Sequence, residues 1–178
     1  SPVAWDEIST SKSCYEEVKN SSAFVYGSLS SRREHSKKTL FELLKSAKFK
    51  IFDLNIRAPH YSIETIKVLT KKADLLKCNE EELLFLSKSY GYKKNDLRQS
   101  ITLLSDKTQT PCVCVSRGKK GAILYENGHF YEHPGFKIKV KDTVGAGDSF
   151  LAALITYRMQ NISIEKSLKL ACAMGALV

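Results

Sequence analysis

The sequence predicts an α/β fold in which helices flank a mostly parallel sheet. Three observations predict it. Short apolar runs such as "FKIFDLN", "ADLLKCN" and "PCVCVSRG" alternate with longer stretches of helical period. Residues that favour helix starts, Ser62 and Asn79 among them, open those stretches. Strands separated by helices need crossover connections, and crossovers produce parallel pairing.

"SAFVYGSL" is a short apolar run broken at Gly27, read as the first strand. "SKKTLFELLKSAK" follows with Leu40, Leu43, Leu44 and Ala47 at helical spacing, and Ser36 is its expected N-cap. "FKIFDLN" is a strand ending in polar residues, and "SIETIKVLTKK" is a helix opened by Ser62. After the strand "ADLLKCN", Asn79 caps "NEEELLFLSKSYGY", with acids in the first turn and Gly91 just past the end. "LRQSITLLS" is helical, and "PCVCVSRG" is a buried strand whose Cys112 and Cys114 share one face.

The pattern then changes. "GAILYENGHFYEHPG" reads as an antiparallel hairpin around Asn127-Gly128, a type I′ turn signal. "FKIKVKD" alternates, with Phe136, Ile138 and Val140 on one face of a strand. Two helices follow, "DSFLAALITYRMQ" and "SIEKSLKLACAMGALV", the second opened by Ser163. With no repeat and no low-complexity linker, residues 1–178 are read as one domain.

Composition narrows the function classes. Hydrophobic residues make up 43% and charged residues 26% of the 178, which is globular rather than disordered. No apolar run is long enough for a bilayer, and "SPVAWDEIST" does not read as a signal peptide. No membrane partner is expected. The net charge is +9, but the basic residues are spread as short pairs without an aromatic-rich stripe, which speaks against nucleic acid. A basic balance also suits a polyanionic small molecule. The five scattered cysteines match neither a disulfide framework nor zinc-ligand spacing with the four histidines, so buried thiols in a reducing cytoplasm are expected.

In parallel sheets, ligands sit outside the carboxyl ends of the strands. The polar residues to watch are therefore Asp53, Asn55 and Arg57, then Asn79 and Glu82, then Ser116 and Gly118, and finally "DTVGAGDSF". In that last stretch Gly145, Ala146 and Gly147 leave backbone N–H groups open to an anion, and the helix starting near Asp148 adds positive character. Asp148 stands where a general base would take a proton from an attacking hydroxyl. The competing reading is a tight turn with Asp148 as a helix cap.

"DTVGAGDSF" resembles the signature of the PfkB family of sugar kinases, the ribokinase-like kinases, over nine successive residues. "VYGSLSSR" and "FDLNIRAPHY" resemble segments of the fructokinase branch, "KCNEEEL" the family's Asn-x-x-Glu motif, and "VSRGKKGAILY" a strand-loop-strand bordering nucleotide. The resemblance covers nearly the whole chain. It implies a ribokinase-like fold and ATP-dependent phosphorylation of a sugar hydroxyl with Mg²⁺. It implies Asp148 as base, with Gly145, Ala146 and Gly147 as the anion hole. Asn79 and Glu82 would organise Mg²⁺ and its waters, or serve only as a cap and an N-terminal acid. Asn55 and Arg57 would face the transferred phosphate, unless Arg57 is a surface arginine. Ser116, Arg117, Gly118 and Gly121 would border the nucleotide, or form only a glycine turn. Thr143 would touch phosphate or ribose. The resemblance also implies a chain lacking the N-terminal sugar-binding part and the small β lid, so that this is the C-terminal catalytic portion of a longer parent, for which a homodimer stays open. The alternative function is a non-catalytic nucleotide- or partner-binding module with the same fold.

Overall fold

The computed structural model describes residues 3–138 and 144–178. A six-stranded sheet runs in sequence order, β1 (Phe24–Gly27), β2 (Lys50–Asp53), β3 (Leu75–Asn79), β4 (Cys112–Ser116), β5 (Ala122–Glu126) and β6 (His129–His133). β1 to β4 pair in parallel, and β5 and β6 join antiparallel as a hairpin. The expected mostly parallel α/β sheet is therefore present. Among the described residues, no helix is long and apolar enough to cross a membrane.

Strand alternation sorts the side chains into two cores. Phe52, Leu76, Val113, Val115 and Ile123 face one side. There they meet Leu40 and Leu44 of α2 (Glu34–Ser46), Ile66 and Leu69 of α3 (Ile63–Thr70), Leu83 and Leu86 of α4 (Glu80–Ser89), and Ile101 and Leu104 of α5 (Leu97–Thr108). Their sequence neighbours Ile51, Leu75, Cys112, Cys114 and Leu124 face the other side. They pack on Phe150, Leu151 and Leu154 of α6 (Ala146–Met159) and on Leu168 and Ala171 of α7 (Ile164–Leu177). The run "CVCV" is buried on both faces, which is why it reads as continuously apolar. Cys112 and Cys114 do share a face.

Most helix starts follow local chemistry. Ser62 Oγ accepts from Thr65 N at 3.3 Å, Asn79 accepts from Glu82 N at 2.9 Å, and Ser163 Oγ accepts from Lys166 N at 3.4 Å. Asn127 and Gly128 both take positive φ, +49° and +89°, as a type I′ turn requires.

Four expectations need correction. Ser36 is not the cap of α2. The helix begins at Glu34, and Ser36 is buried inside it, where its hydroxyl accepts from Ile8 N at 2.8 Å. A tertiary partner has claimed the side chain that would otherwise cap. α6 begins at Ala146, two residues before Asp148, because Gly145 takes the left-handed conformation (φ +81°) and turns the chain into the helix there. Asp148 therefore stands in the first turn and is not the N-cap. The strand expected over "FKIKVKD" does not form over residues 136–138, and its remainder lies outside the described residues. Pro134 brings no N–H, and Gly135 (φ +81°) folds back against Gly121 and the Lys119 carbonyl, so the extended run stops at His133. Finally, α1 (Lys12–Asn20) forms where no helix was read. It is mostly polar and buries only Val18, so little apolar content announces it.

Near the amino end, the enclosed Asp6 carboxylate is paired with Arg32 and lies 3.4 Å from Arg33 Nε. The Arg32 hydrogen bond holds it well below the usual carboxylate range. The unfolded carboxyl titrates near ~3.9. The stabilisation is therefore present in full above that value and is lost as pH falls toward the lower folded one. Asp6→Asn should lower the thermal midpoint near neutral pH, and the gap to wild type should close in melts toward about pH 2. A gap that stays constant with pH would contradict the pairing.

Gly121 supplies a second test. A Cβ there would lie 1.9 Å from the His133 carbonyl oxygen, at φ +80°, whereas Gly128 at φ +89° has open space around it. Gly128→Ala should cost about 1 kcal/mol for the left-handed backbone alone. Gly121→Ala should cost at least about 2 kcal/mol more, through displaced backbone. Urea unfolding of the two variants reads the difference.

Candidate active site

The site lies at the carboxyl ends of β2, β3 and β4, beside the first turn of α6. Asp53 ends β2 and Lys77 sits beside it on β3, in register. Both side chains point toward α6, and Lys77 Nζ lies 3.0 Å from Asp53 Oδ1. Each is nearly enclosed, with 10% and 12% of its side chain exposed. Burial pushes the Asp53 carboxyl up, Lys77 opposes this, nearby Asp148 adds to the rise and Arg57 opposes it.

Beyond β2 the chain is clasped to β3 and α4. Leu54 N donates to the Lys77 carbonyl at 2.9 Å. Asn55 takes a left-handed conformation, φ +39°, and its carbonyl accepts from Ser28 Oγ at 3.2 Å. Ile56 N donates to Glu82 Oε1 at 2.8 Å, while the other oxygen of Glu82 accepts from Asn79 N at 2.9 Å. One carboxylate thus closes the cap of α4 and holds the loop that carries Asn55 and Arg57. The cap reading of Asn79 and Glu82 is realised, and it also positions their neighbours.

At α6, Ala146, Gly147 and Asp148 fill the first three helical positions. Their N–H groups precede the first intrahelical bond, from Ser149 N to the Gly145 carbonyl at 2.9 Å. α7 sets this turn closely: a Cβ at Gly175 would lie 3.0 Å from the Ala146 carbonyl and 3.2 Å from Phe150 Cβ.

These elements line an open cavity of about 620 Å³. Asn55, Arg57, Asn79, Glu82, Ser116 and Gly147 all line it, so residues expected from four separate stretches meet. Asp148, exposed, lies next to Gly147. Three expected nucleotide neighbours do not line the cavity. Arg117 Nε donates to Glu80 Oε1 at 2.7 Å, which ties the β4–β5 connection to α4 and lowers the Glu80 pKa. Gly118 (φ +55°) and Gly121 shape the short turn between β4 and β5. Thr143 lies outside the described residues. Four lining residues were not anticipated, Ile56, Lys77, Glu81 and Phe85. The available signal for Lys77 was a lysine within the otherwise apolar "LLKC" run, on a strand buried at both faces.

The donor set suits a hard cation only in part. Asn79 and Glu82 present oxygens to the cavity, but each already accepts backbone N–H bonds. No group of three or more His, Cys, Asp or Glu side chains that could hold a metal occurs among the described residues. That fits Mg²⁺ held largely through its own waters and a phosphate, which is how this ion usually binds.

The model of the pfkB family carbohydrate kinases matches residues 5–178. The chain belongs to this family. Among curated relatives, the fructokinase of Salmonella thompson is 31% identical over 159 residues, covering 81% of this chain and 70% of that protein. Fructokinase-2 of Solanum lycopersicum is 30% identical over 178 residues, covering 90% of this chain and 52% of the relative. The crystal structure of the Vibrio cholerae fructokinase with fructose, ADP and calcium ion superposes with a TM-score of 0.75 at 26% identity, covering 87% of this chain and 53% of that one. The chain spans about half the length of most of these family relatives.

The clasp gives a test independent of activity. Glu82→Ala should cost about 2–3 kcal/mol, since it removes an ionised acceptor from two amides. Asn79→Ala should cost about 1 kcal/mol, the loss of a cap. Hydrogen exchange at the Ile56 amide should accelerate in the first variant and not in the second. Equal protection at Ile56 in both would remove Glu82 from its role in the loop.

Proposed function

We propose that the parent protein is an ATP-dependent kinase that phosphorylates a sugar hydroxyl, of the fructokinase type, and that residues 1–178 form its phosphoryl-transfer domain. The observation that carries this reading is the meeting of Arg57, Asn79, Glu82 and Gly147 around one cavity, with Asp148 at its edge. Membership of the pfkB family and a fructokinase relative holding fructose and ADP support the substrate pair.

The sugar hydroxyl gives its proton to the Asp148 carboxylate as its oxygen attacks the terminal phosphorus of ATP. The bond to the bridging oxygen breaks, and ADP leaves with that electron pair. Asp148 then releases the proton to solvent. Charge developing on the transferred group is met by the first-turn N–H groups of Ala146, Gly147 and Asp148, already fixed by the helix. Arg57 offers a fork of donors to the same group. Mg²⁺, when bound near Asn79 and Glu82, would offset charge on the phosphate oxygens. Cytoplasmic residence is part of the same proposal, supported by five unpaired thiols, four of them buried.

Among the described residues Asp148 makes no cap bond and Gly145 holds the N-cap position, so Asp148→Asn removes a base without removing a cap. In the full-length parent, kcat should fall by about 10²–10⁴-fold while ATP affinity stays nearly constant. ATP with Mg²⁺ at about 100 times its dissociation constant should stabilise wild type and variant alike by roughly 2.7 kcal/mol. Turnover within a few-fold of wild type would remove Asp148 from the role of base, whereas a wild-type parent that binds ATP without turnover would leave the non-catalytic nucleotide-binding reading in its place.

A further inference from the structure

The turn after β1 holds a serine whose contact crosses to the cavity loop. In "GSLSS" three hydroxyls donate to backbone carbonyls, Ser30 Oγ to Gly27 at 3.1 Å, Ser31 Oγ to Ser28 at 2.6 Å and Ser28 Oγ to Asn55 at 3.2 Å. The first two bonds are local and close the turn. The third reaches another element, 27 residues on. Ser28 is 2% exposed, and its own carbonyl also accepts from Ser31 N at 3.1 Å, so the donor is itself fixed. Its acceptor needs fixing. Asn55 is left-handed (φ +39°) without being glycine, a conformation that persists only where the surroundings hold it. The carbonyl of Asn55 and the N–H of Ile56 belong to one rigid peptide plane. Ser28 donates to the first, and Glu82 accepts from the second at 2.8 Å, so the plane is gripped on both edges. Arg57 comes next. It lines the cavity, and its guanidinium makes no hydrogen bond or ion pair among the described residues. Its placement therefore depends on the backbone that carries it.

We propose that Ser28 is a positioning residue for phosphoryl transfer, holding the Asn55–Ile56 peptide so that Arg57 is presented to the group in transfer. This rests on the kinase reading above, in which Arg57 offers its donors to that group. A plane held only by the Glu82 bond can still tilt about it, and the chain leading into Arg57 tilts with it. The Ser28 bond on the opposite edge removes that freedom. Ser28 is not among the residues that line the cavity, so it acts through the loop and not on substrate. Transfer is sensitive to such placement, since an error of about 1 Å can cost about a hundred-fold in rate. ATP affinity is not, because the first-turn amides of α6 belong to a separate element.

The test is steady-state kinetics of the full-length parent with fructose, ATP and Mg²⁺, and calorimetry of ATP binding. Ser28→Ala should lower kcat by about three- to ten-fold, the worth of one hydrogen bond, and leave ATP affinity within about two-fold. Ser28→Cys, of similar size with a much weaker donor, should lose turnover in the same way and serves where the alanine variant fails to fold. Arg57→Ala should itself lower kcat. Added to it, Ser28→Ala should cost nothing more, because Ser28 acts through Arg57. Turnover in both Ser28 variants equal to that of an active wild type would overturn the role of Ser28 and leave the kinase reading standing. So would a loss from Ser28→Ala that persists in full beside Arg57→Ala, or one matched by an equal loss of ATP affinity. A wild-type parent that turns over no fructose would remove the fructokinase reading, and this inference with it.

Discussion

Strands β2, β3 and β4 are covered on both faces, and this single constraint arranges the rest of the molecule. A side chain in the middle of such a strand must be apolar or, like Lys77, paired with an opposite charge, because helices close over it from either direction. Ile51, Phe52, Leu76, Val113 and Cys114 obey this and are fully buried. Polar groups are displaced to the ends, where the helices begin and water returns. Parallel pairing places those ends together, so Asp53, Asn79 and Ser116 gather at one edge of the sheet. The cavity is a consequence of where polar residues are permitted.

The edge becomes a site because its loops are tied down. A loop carrying Asn55 and Arg57 would otherwise sample many positions, at an entropic cost to any ligand it met. The Glu82 carboxylate removes that freedom by accepting from Ile56 N and Asn79 N together. Glu82 lies in the first turn of α4, where the helix dipole favours its charge. α6 is held from the other side, by the close fit of Gly175 of α7 against the Ala146 carbonyl. Two helices that approach the cavity with their positive ends are thus each fixed, α4 by a contact in the cavity wall and α6 by its fit against α7.

Sequence reading succeeded where the governing chemistry was local. Ser62, Asn79 and Ser163 cap the helices they precede, and Asn127-Gly128 turns the hairpin, because each needs only partners within a few residues. It failed where a distant group intervened. Ser36 has the right chemistry for a cap, but Ile8 N lies against it. α1 has a capping serine but is mostly polar and buries only Val18, so it lacks the apolar content that marked the other helices. The convergence of Asn55, Arg57, Asn79, Glu82 and Ser116 was legible from strand ends alone. The pairing of Arg117 with Glu80 was not, because Glu80 belongs to another element.

Lys77 shows the same limit from the opposite direction. In a linear pattern, one lysine in an apolar run reads as a surface position on an edge strand. The fold places β3 between β2 and β4, and the reading inverts: the lysine is interior, and only a carboxylate in register on β2 makes it tolerable. Asp53 and Lys77 are 24 residues apart and neither is informative without the other. Once paired, they bring an ammonium to the helix turn where the motif residues Gly147 and Asp148 stand. The small-residue motif supplies amides and a carboxylate, all on one short segment. Lys77 is the cation that the strand register delivers to that turn, beside Gly147 and paired with Asp53.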